Sequence, residues 1–113
     1  MVNDQLEHAV RSFVNLLVEL NYSDAVSHCS DSRLSGEDLE KVIRDYGRTL
    51  IEPPAHAYKD LDAIAVTGVA IATWSVVAPL WTSEEGLSDL SLELTARQNE
   101  NTWIIQLDDL HVL

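Results

Sequence analysis

Cysteine is nearly absent from this chain, since Cys29 is the only one among 113 residues. A single thiol excludes an internal disulfide, which agrees with a reducing compartment. Long apolar runs are also absent: the least polar stretch, residues 63–81, is interrupted by Thr67, Gly68 and Pro79, so no membrane span is predicted. The first residues have neither a basic cluster nor an apolar core, so we expect no signal peptide and a soluble, cytoplasmic protein.

Basic residues are scarce too. Seven Lys and Arg stand against nineteen Asp and Glu, which gives a formal net charge of −12. From Asp60 to Leu113 there are nine carboxylates and a single Lys or Arg, Arg97. Such a surface repels nucleic acid and anionic membrane, and it attracts basic proteins. The hydrophobic fraction of 46% is typical of a globular protein, and the length predicts one domain, residues 1–113.

The first half of the chain is predicted to be helical. Apolar residues recur at helical spacing from Leu6 to Leu20, which predicts a first helix over about residues 4–20. Ser23 is a candidate N-cap for a short second helix that ends near His28. A polar loop is expected at residues 30–33.

A third helix is predicted after Ser35. Asp38 completes a capping box with Ser35, and Gly47 is well placed as the C-terminal stop. The apolar stripe of this helix consists of Leu39, Val42, Ile43 and Tyr46. Pro53 and Pro54 cannot continue a helix, so we expect an extended crossing there.

From about Leu61 the apolar period changes to two, which predicts strands. Ile64 and Val66 mark a short first strand, and Pro79 predicts an edge or a bulge in the next one. Trp74, Val76, Ala78 and Leu80 share one face of that strand. The clearest strand follows, with Leu90, Leu92 and Leu94 facing inward. Tight turns are predicted at residues 83–86 and 99–101.

The last strand changes phase along its length. Trp103, Ile105 and Leu107 alternate, but Leu110 and Val112 do not continue their alternation. An extra residue in the strand would produce this shift, so a β-bulge is predicted near residues 108–109.

Helices followed by hairpins predict an α+β fold, with N-terminal helices on one face of a curved antiparallel sheet of about four strands. This order resembles the nuclear transport factor 2-like cone, through the first helix, the short helix after NYSD at 21–24 and the sheet that ends in residues 103–112. The segments YGRTL at 46–50, LWTSEEG at 80–86 and DDLHV at 108–112 also resemble those of a small bacterial family of unassigned function. In size and acidity the chain resembles the immunity proteins of contact-dependent growth inhibition and colicin-like systems.

No motif in the chain names a reaction. The four histidines and Cys29 lack the spacing of metal-ligand pairs, so neither a metal nor a cofactor is predicted. We interpret Cys29 as a buried structural thiol, because its acidic surroundings do not favour a thiolate.

Acid–base chemistry is the enzymatic alternative. The cone resemblance implies a small-molecule pocket between helices and sheet, for which Asp109 and His111, with Tyr46 or Tyr58 as hydrogen-bond donor, are the candidates. Asp109 and His111 share a face on a regular strand, but residues 108–109 in a turn or bulge and a surface histidine explain them more simply. We favour that simpler interpretation.

The acidic hairpin is the candidate interface. Four carboxylates lie on it, and Trp81 leads into it; they are Glu84, Glu85, Asp89 and Glu93. An aromatic anchor ringed by charge is typical of a binding surface. The other interpretation places Trp81 in the core and has the carboxylates protect a strand edge. Both interpretations stay open at this point.

The sequence thus favours a non-enzymatic interaction protein. The predicted partner is a basic toxin domain, with a nuclease as one candidate, which the protein would bind and neutralise as an immunity protein. A small-molecule-binding or enzymatic cone domain is the alternative, and a dimeric accessory domain that pairs through its sheet is a third interpretation.

Overall fold

Four helices and six strands make two layers in this computed structural model, which describes residues 4–59, 61–100 and 102–113, without the side chain of Asn99. The helices are α1 Asp4–Val18, α2 Tyr22–His28, α3 Gly36–Tyr46 and α4 Ala55–Lys59. The strands are β1 Asp31–Ser32, β2 Leu50–Ile51, β3 Asp62–Ala65, β4 Thr73–Thr82, β5 Gly86–Asn99 and β6 Thr102–Val112.

The sheet is open and mixed. Its strand order is β1-β6-β5-β4-β2, and β3 also pairs with β4. All pairings are antiparallel except that of β1 with β6. The α+β prediction is confirmed, but the sheet of the described residues has six strands rather than about four and is not purely antiparallel. The difference arises because β1 and β2 are two residues long, too short to show an apolar period.

The core lies between the helices and one face of the sheet. From α1 it takes a row at helical spacing: Leu6, Val10, Phe13, Val14 and Leu17. From the sheet it takes alternate residues of the long strands, chiefly Leu80, Leu90, Leu92, Leu94 and Leu107. Because side chains alternate along a strand, the residues between these point to the opposite face.

The predicted helix signals are confirmed for α3 and wrong for α2. The Ser35 hydroxyl accepts from the Asp38 backbone N–H, the Asp38 carboxylate accepts from the Ser35 N–H, and Gly47 ends the helix with φ of 74°. In contrast, α2 begins one residue before Ser23, at Tyr22. Its N-cap is Asn21, which makes no side-chain capping hydrogen bond, so Ser23 lies inside the helix.

Two connections contain structure that the sequence did not predict. The expected polar loop at residues 30–33 includes β1, and the expected extended crossing after Pro54 includes α4. The first strand, expected around Ile64 and Val66, ends at Ala65. The turn at residues 99–101 is described only in part, because Asn101 lies outside the described residues. No described helix is both long and apolar enough to cross a bilayer.

Both predicted bulges are confirmed. The β4–β5 register shifts between Pro79 and Trp81. The β5–β6 register shifts so that Leu94 pairs with Leu107 while Glu93 pairs with Asp109. Asp108 is the extra residue, and beyond it Leu110 returns to the core. The bulge therefore turns Asp109 and His111 away from the helices.

Candidate functional site on the outer sheet face

The sheet face that points away from the core is here called the outer face. Its residues alternate with those of the core along β4, β5 and β6, and most are exposed or half-buried. They include Trp81, Leu87, Asp89, Ser91, Glu93, Thr95, Arg97, Gln106, Asp109 and His111. Most of the residues predicted for a partner or a ligand meet on this face.

An apolar row crosses three strands of the outer face. Trp81 pairs with Ile51 of β2 on one side and with Leu87 of β5 on the other. Ile51 is 36% exposed, Leu87 is 58% exposed and Trp81 is half-buried. The His56 ring meets the Trp81 ring edge-on, with centroids 6.0 Å apart. The structure thus places Trp81 at the surface rather than in the helix-covered core, as the interface interpretation requires.

Glu84 and Glu85 lie in the turn after β4 and bind the loop that follows α3. The Glu84 carboxylate accepts from the Thr49 backbone N–H at 2.9 Å and from its hydroxyl at 3.0 Å. The Thr49 backbone bond is the largest cause that lowers the pKa of Glu84. Glu85 accepts from the Tyr46 hydroxyl at 2.8 Å and lies 3.3 Å from Arg48 Nε. Both glutamates therefore stabilise the turn and are less free than the sequence suggested.

Tyr46 does not join the proposed ligand pocket through any contact that the structure describes. Its hydroxyl donates to Glu85 and accepts from the Asp89 backbone N–H at 3.3 Å. Partial burial, followed by the bond to Glu85, raises the pKa of this hydroxyl. Asp109 and His111 instead lie together on the outer face. No hydrogen bond or ion pair among the described residues joins Tyr46 to Asp109 or His111, and Tyr58 is buried in the core against Arg11.

Asp109 and His111 meet Glu93, a residue that the sequence assigned to the acidic hairpin. His111 Nδ1 is 3.1 Å from Asp109 Oδ2 and 3.5 Å from Glu93 Oε2. The three side chains are between 37% and 49% exposed. One ligand atom from each lies within 4.8 Å of the other two, which makes this trio a possible metal-binding group. Sequence reasoning missed this grouping because it treated the two strands separately.

A polar network continues along the outer face beside this trio. The Thr95 hydroxyl and the Gln106 amide both donate to Asp108, at 2.6 and 2.8 Å. Arg97 donates in turn to the Gln106 side-chain oxygen at 3.3 Å. Asp108 thereby faces outward in the bulge, and its carboxylate has partners that fix its position.

A groove of about 460 Å³ lies between α1 and the start of β6, but it takes no lining residue from Tyr46, Asp109 or His111. A second groove, among the helices, does not match the predicted pocket either. It is open, has a volume of about 950 Å³ and is lined by residues 20–27, 35–37 and 40, with Ala25 excepted. Its lining therefore comes from α2, α3 and their connections and takes nothing from Asp109 or His111. Cys29 lies at the end of α2, where burial raises the pKa of its thiol to about 11. That value agrees with a structural thiol and argues against a nucleophile.

One known protein family has a sequence model that matches nearly the whole chain. Residues 14–113 match the model of a family described as a domain of unknown function, DUF7668. The chain belongs to the DUF7668 family. The DUF7668 match spans the entire sheet and with it every outer-face residue named above. No curated protein and no solved structure matches this DUF7668 chain, so the resemblances to cone domains and to immunity proteins remain predictions.

Proposed function

We propose that the protein is an acidic interaction protein that binds a basic partner through its outer face. The observation that carries this proposal is the cross-strand row of Ile51, Trp81 and Leu87. These residues are apolar, are directly paired and remain accessible on a face that the core does not use. Interfaces concentrate their energy in such aromatic and aliphatic anchors.

Carboxylates surround the row. Asp89 is exposed two residues beyond Leu87 on β5, and Glu52 is exposed directly after Ile51. Asp109 and Glu93 extend the negative charge along the same face. With a net charge of −12, the protein would attract a basic partner. The same charge would repel nucleic acid from the protein.

The more specific form of the proposal is an immunity protein. The partner would then be a basic toxin domain, such as a nuclease, whose site must attract phosphate. Trp81 would anchor the contact while Asp89 and Glu93 occupy the cationic surface that normally receives substrate phosphates. Neutralisation would follow from occlusion of that site. Glu84 and Glu85 would contribute mainly by shaping the turn, because both carboxylates already have partners within the chain.

Capture from an extract of the natural host tests this proposal. The tagged protein is compared with Leu87→Arg and Asp89→Lys, two changes at exposed positions. We expect a basic protein in stoichiometric amount with the original chain, its release at high salt, and at least tenfold weaker binding by either variant. Loss of roughly 1.4 kcal/mol of binding free energy at a central anchor raises the dissociation constant about tenfold.

The matched control is Leu20→Arg. Leu20 is 63% exposed, close to the value for Leu87, but follows α1 in the helical layer. This variant should retain the partner. If all three variants bind equally, the outer face is not the interface. If a partner is captured, an assay of its enzymatic activity with and without the protein tests the immunity function. An immunity protein would inhibit the partner, whereas an accessory domain would bind without inhibiting it.

A further inference from the structure

Glu93, Asp109 and His111 bring three metal-ligating groups to one point on two paired strands. Register fixes this arrangement, because Glu93 pairs directly with Asp109, and His111 lies two residues further along β6. The bulge at Asp108 is what places both β6 residues on the outer face. Without the extra residue, Asp109 and His111 would continue the alternation of Leu107 and point to the core.

The two distances from His111 to the carboxylates fit a shared cation. Nδ1 of His111 is 3.1 Å from Asp109 Oδ2 and 3.5 Å from Glu93 Oε2. Zinc binds imidazole and carboxylate ligands at about 2.0–2.2 Å, so two ligand atoms in a tetrahedral or octahedral shell lie roughly 3.0–3.6 Å apart. Both distances from His111 fall within that interval.

Unpaired polar atoms at the same place are an independent observation. His111 Nδ1 is buried and has no hydrogen-bond partner among the described residues, although two carboxylates approach it. Ser91, the cross-strand neighbour of His111, is fully buried on the outer face, and in the part of the chain that the structure describes its hydroxyl also lacks a partner. Buried polar atoms normally have hydrogen-bond partners, so two unsatisfied atoms in one cross-strand residue pair call for an explanation.

We propose that Glu93, Asp109 and His111 bind a first-row divalent metal ion. One imidazole and two carboxylates suit zinc best and manganese less well, while the nitrogen ligand disfavours magnesium. Three protein ligands leave coordination positions for water or for a group from another molecule. Ser91 supplies a hydroxyl next to His111. The site does not depend on the proposed partner, and either proposal can fail without the other.

Isothermal titration of the untagged chain tests the site, with zinc, manganese and magnesium chloride as separate probes at pH 7. We expect one equivalent of zinc, weaker binding of manganese and no detectable heat from magnesium. His111→Gln and Glu93→Gln should each weaken zinc binding at least tenfold. Failure of zinc to bind, or equal binding by these variants, overturns the proposal and leaves a histidine–carboxylate contact.

Control variants separate this site from adventitious zinc ligands. His56→Gln and Cys29→Ser change a histidine and the thiol elsewhere in the chain and should leave the zinc affinity unchanged. Circular dichroism establishes that each variant is folded. As a second measurement, manganese should broaden amide resonances of residues 91–93 and 109–111 before those of α2. Broadening centred on another region would contradict the assignment, whatever the titration gives.

Discussion

The Glu84 carboxylate receives hydrogen bonds from both the backbone N–H and the hydroxyl of Thr49, at 2.9 and 3.0 Å. It thereby joins the β4–β5 turn to the segment between α3 and β2, across 35 residues of sequence. The same turn presents the edge of the Ile51–Trp81–Leu87 row, since Trp81 and Leu87 flank it. Glu84, like Glu85, thus stabilises the turn that carries part of the candidate interface.

Replacement of Glu84 should show this support as stability that depends on pH. Glu84→Ala removes both bonds, and we expect the melting temperature at pH 7 to fall by about 4 °C, as for one net hydrogen bond in a domain of this size. The pKa of Glu84 is lowered from 4.5, so its stabilisation is complete above 4.5 and is lost as the pH falls through the folded-state value. The gap between variant and original chain should therefore narrow in acid.

Thermal melts between pH 7 and pH 3 measure that gap. Glu19→Ala is the control, because Glu19 is exposed and the structure describes no side-chain hydrogen bond for it. It should shift the melting temperature little at any pH. A gap for Glu84→Ala that stays constant into acid would show that charge at Glu84 contributes nothing.

Ser35 and Ser23 make a matched pair for helix capping. Ser35→Ala removes the side-chain acceptor of the Asp38 N–H, and loss of such an N-cap costs about 1 kcal/mol. Ser23 was expected to cap α2 but lies within it, exposed, so Ser23→Ala should be neutral or slightly stabilising. Urea denaturation of both variants measures the two free energies. Equal losses would mean that Ser23, rather than Asn21, caps α2.

Strong local signals predicted the helices and long strands well. Leu107 and Leu110 differ in phase, and that difference alone was enough to predict the bulge. β1 was not predictable, because two residues carry no period and its parallel pairing with β6 depends on tertiary packing. The same limit applies to α4, a single short turn after Pro54.

Sequence reasoning did not place Glu93, Asp109 and His111 in one site. Each residue was noted, but Glu93 was assigned to one hypothesis and the other two to another. The pairing of Asn99 with Thr102 fixes the hairpin register, and counting from it through the bulge brings Glu93 opposite Asp109. The signal was therefore present, although only a correct turn and a correctly placed bulge together reveal it.

Cys29 should be slow to react in the folded protein. Burial raises the pKa of its thiol to about 11, compared with an ordinary value of 9.0, so the thiolate fraction near pH 8 falls on the order of 100-fold. Iodoacetamide alkylation, followed by mass spectrometry, should be slower by at least that factor than in denaturant. Because the chain has one cysteine, the measurement reports a single site. Native and denatured rates within threefold of each other would contradict the burial of the thiol.

Removal of the Tyr58 hydroxyl is a substitution in the core that should not destabilise the protein. Its ring is buried and its centroid lies 4.6 Å from the Arg11 guanidinium carbon, but its hydroxyl has no hydrogen-bond partner among residues 4–59, 61–100 and 102–113. An unpaired buried hydroxyl costs free energy, whereas the ring retains its apolar contacts and its cation–π contact when the oxygen is removed. Tyr58→Phe should therefore leave the free energy of unfolding unchanged or raise it by up to about 1 kcal/mol, while Tyr58→Ala should lower it by about 3–5 kcal/mol. Urea denaturation of the two variants measures the contrast. A loss of more than about 1 kcal/mol with Tyr58→Phe would mean that the hydroxyl binds an ordered water that stabilises the contact between α4 and α1.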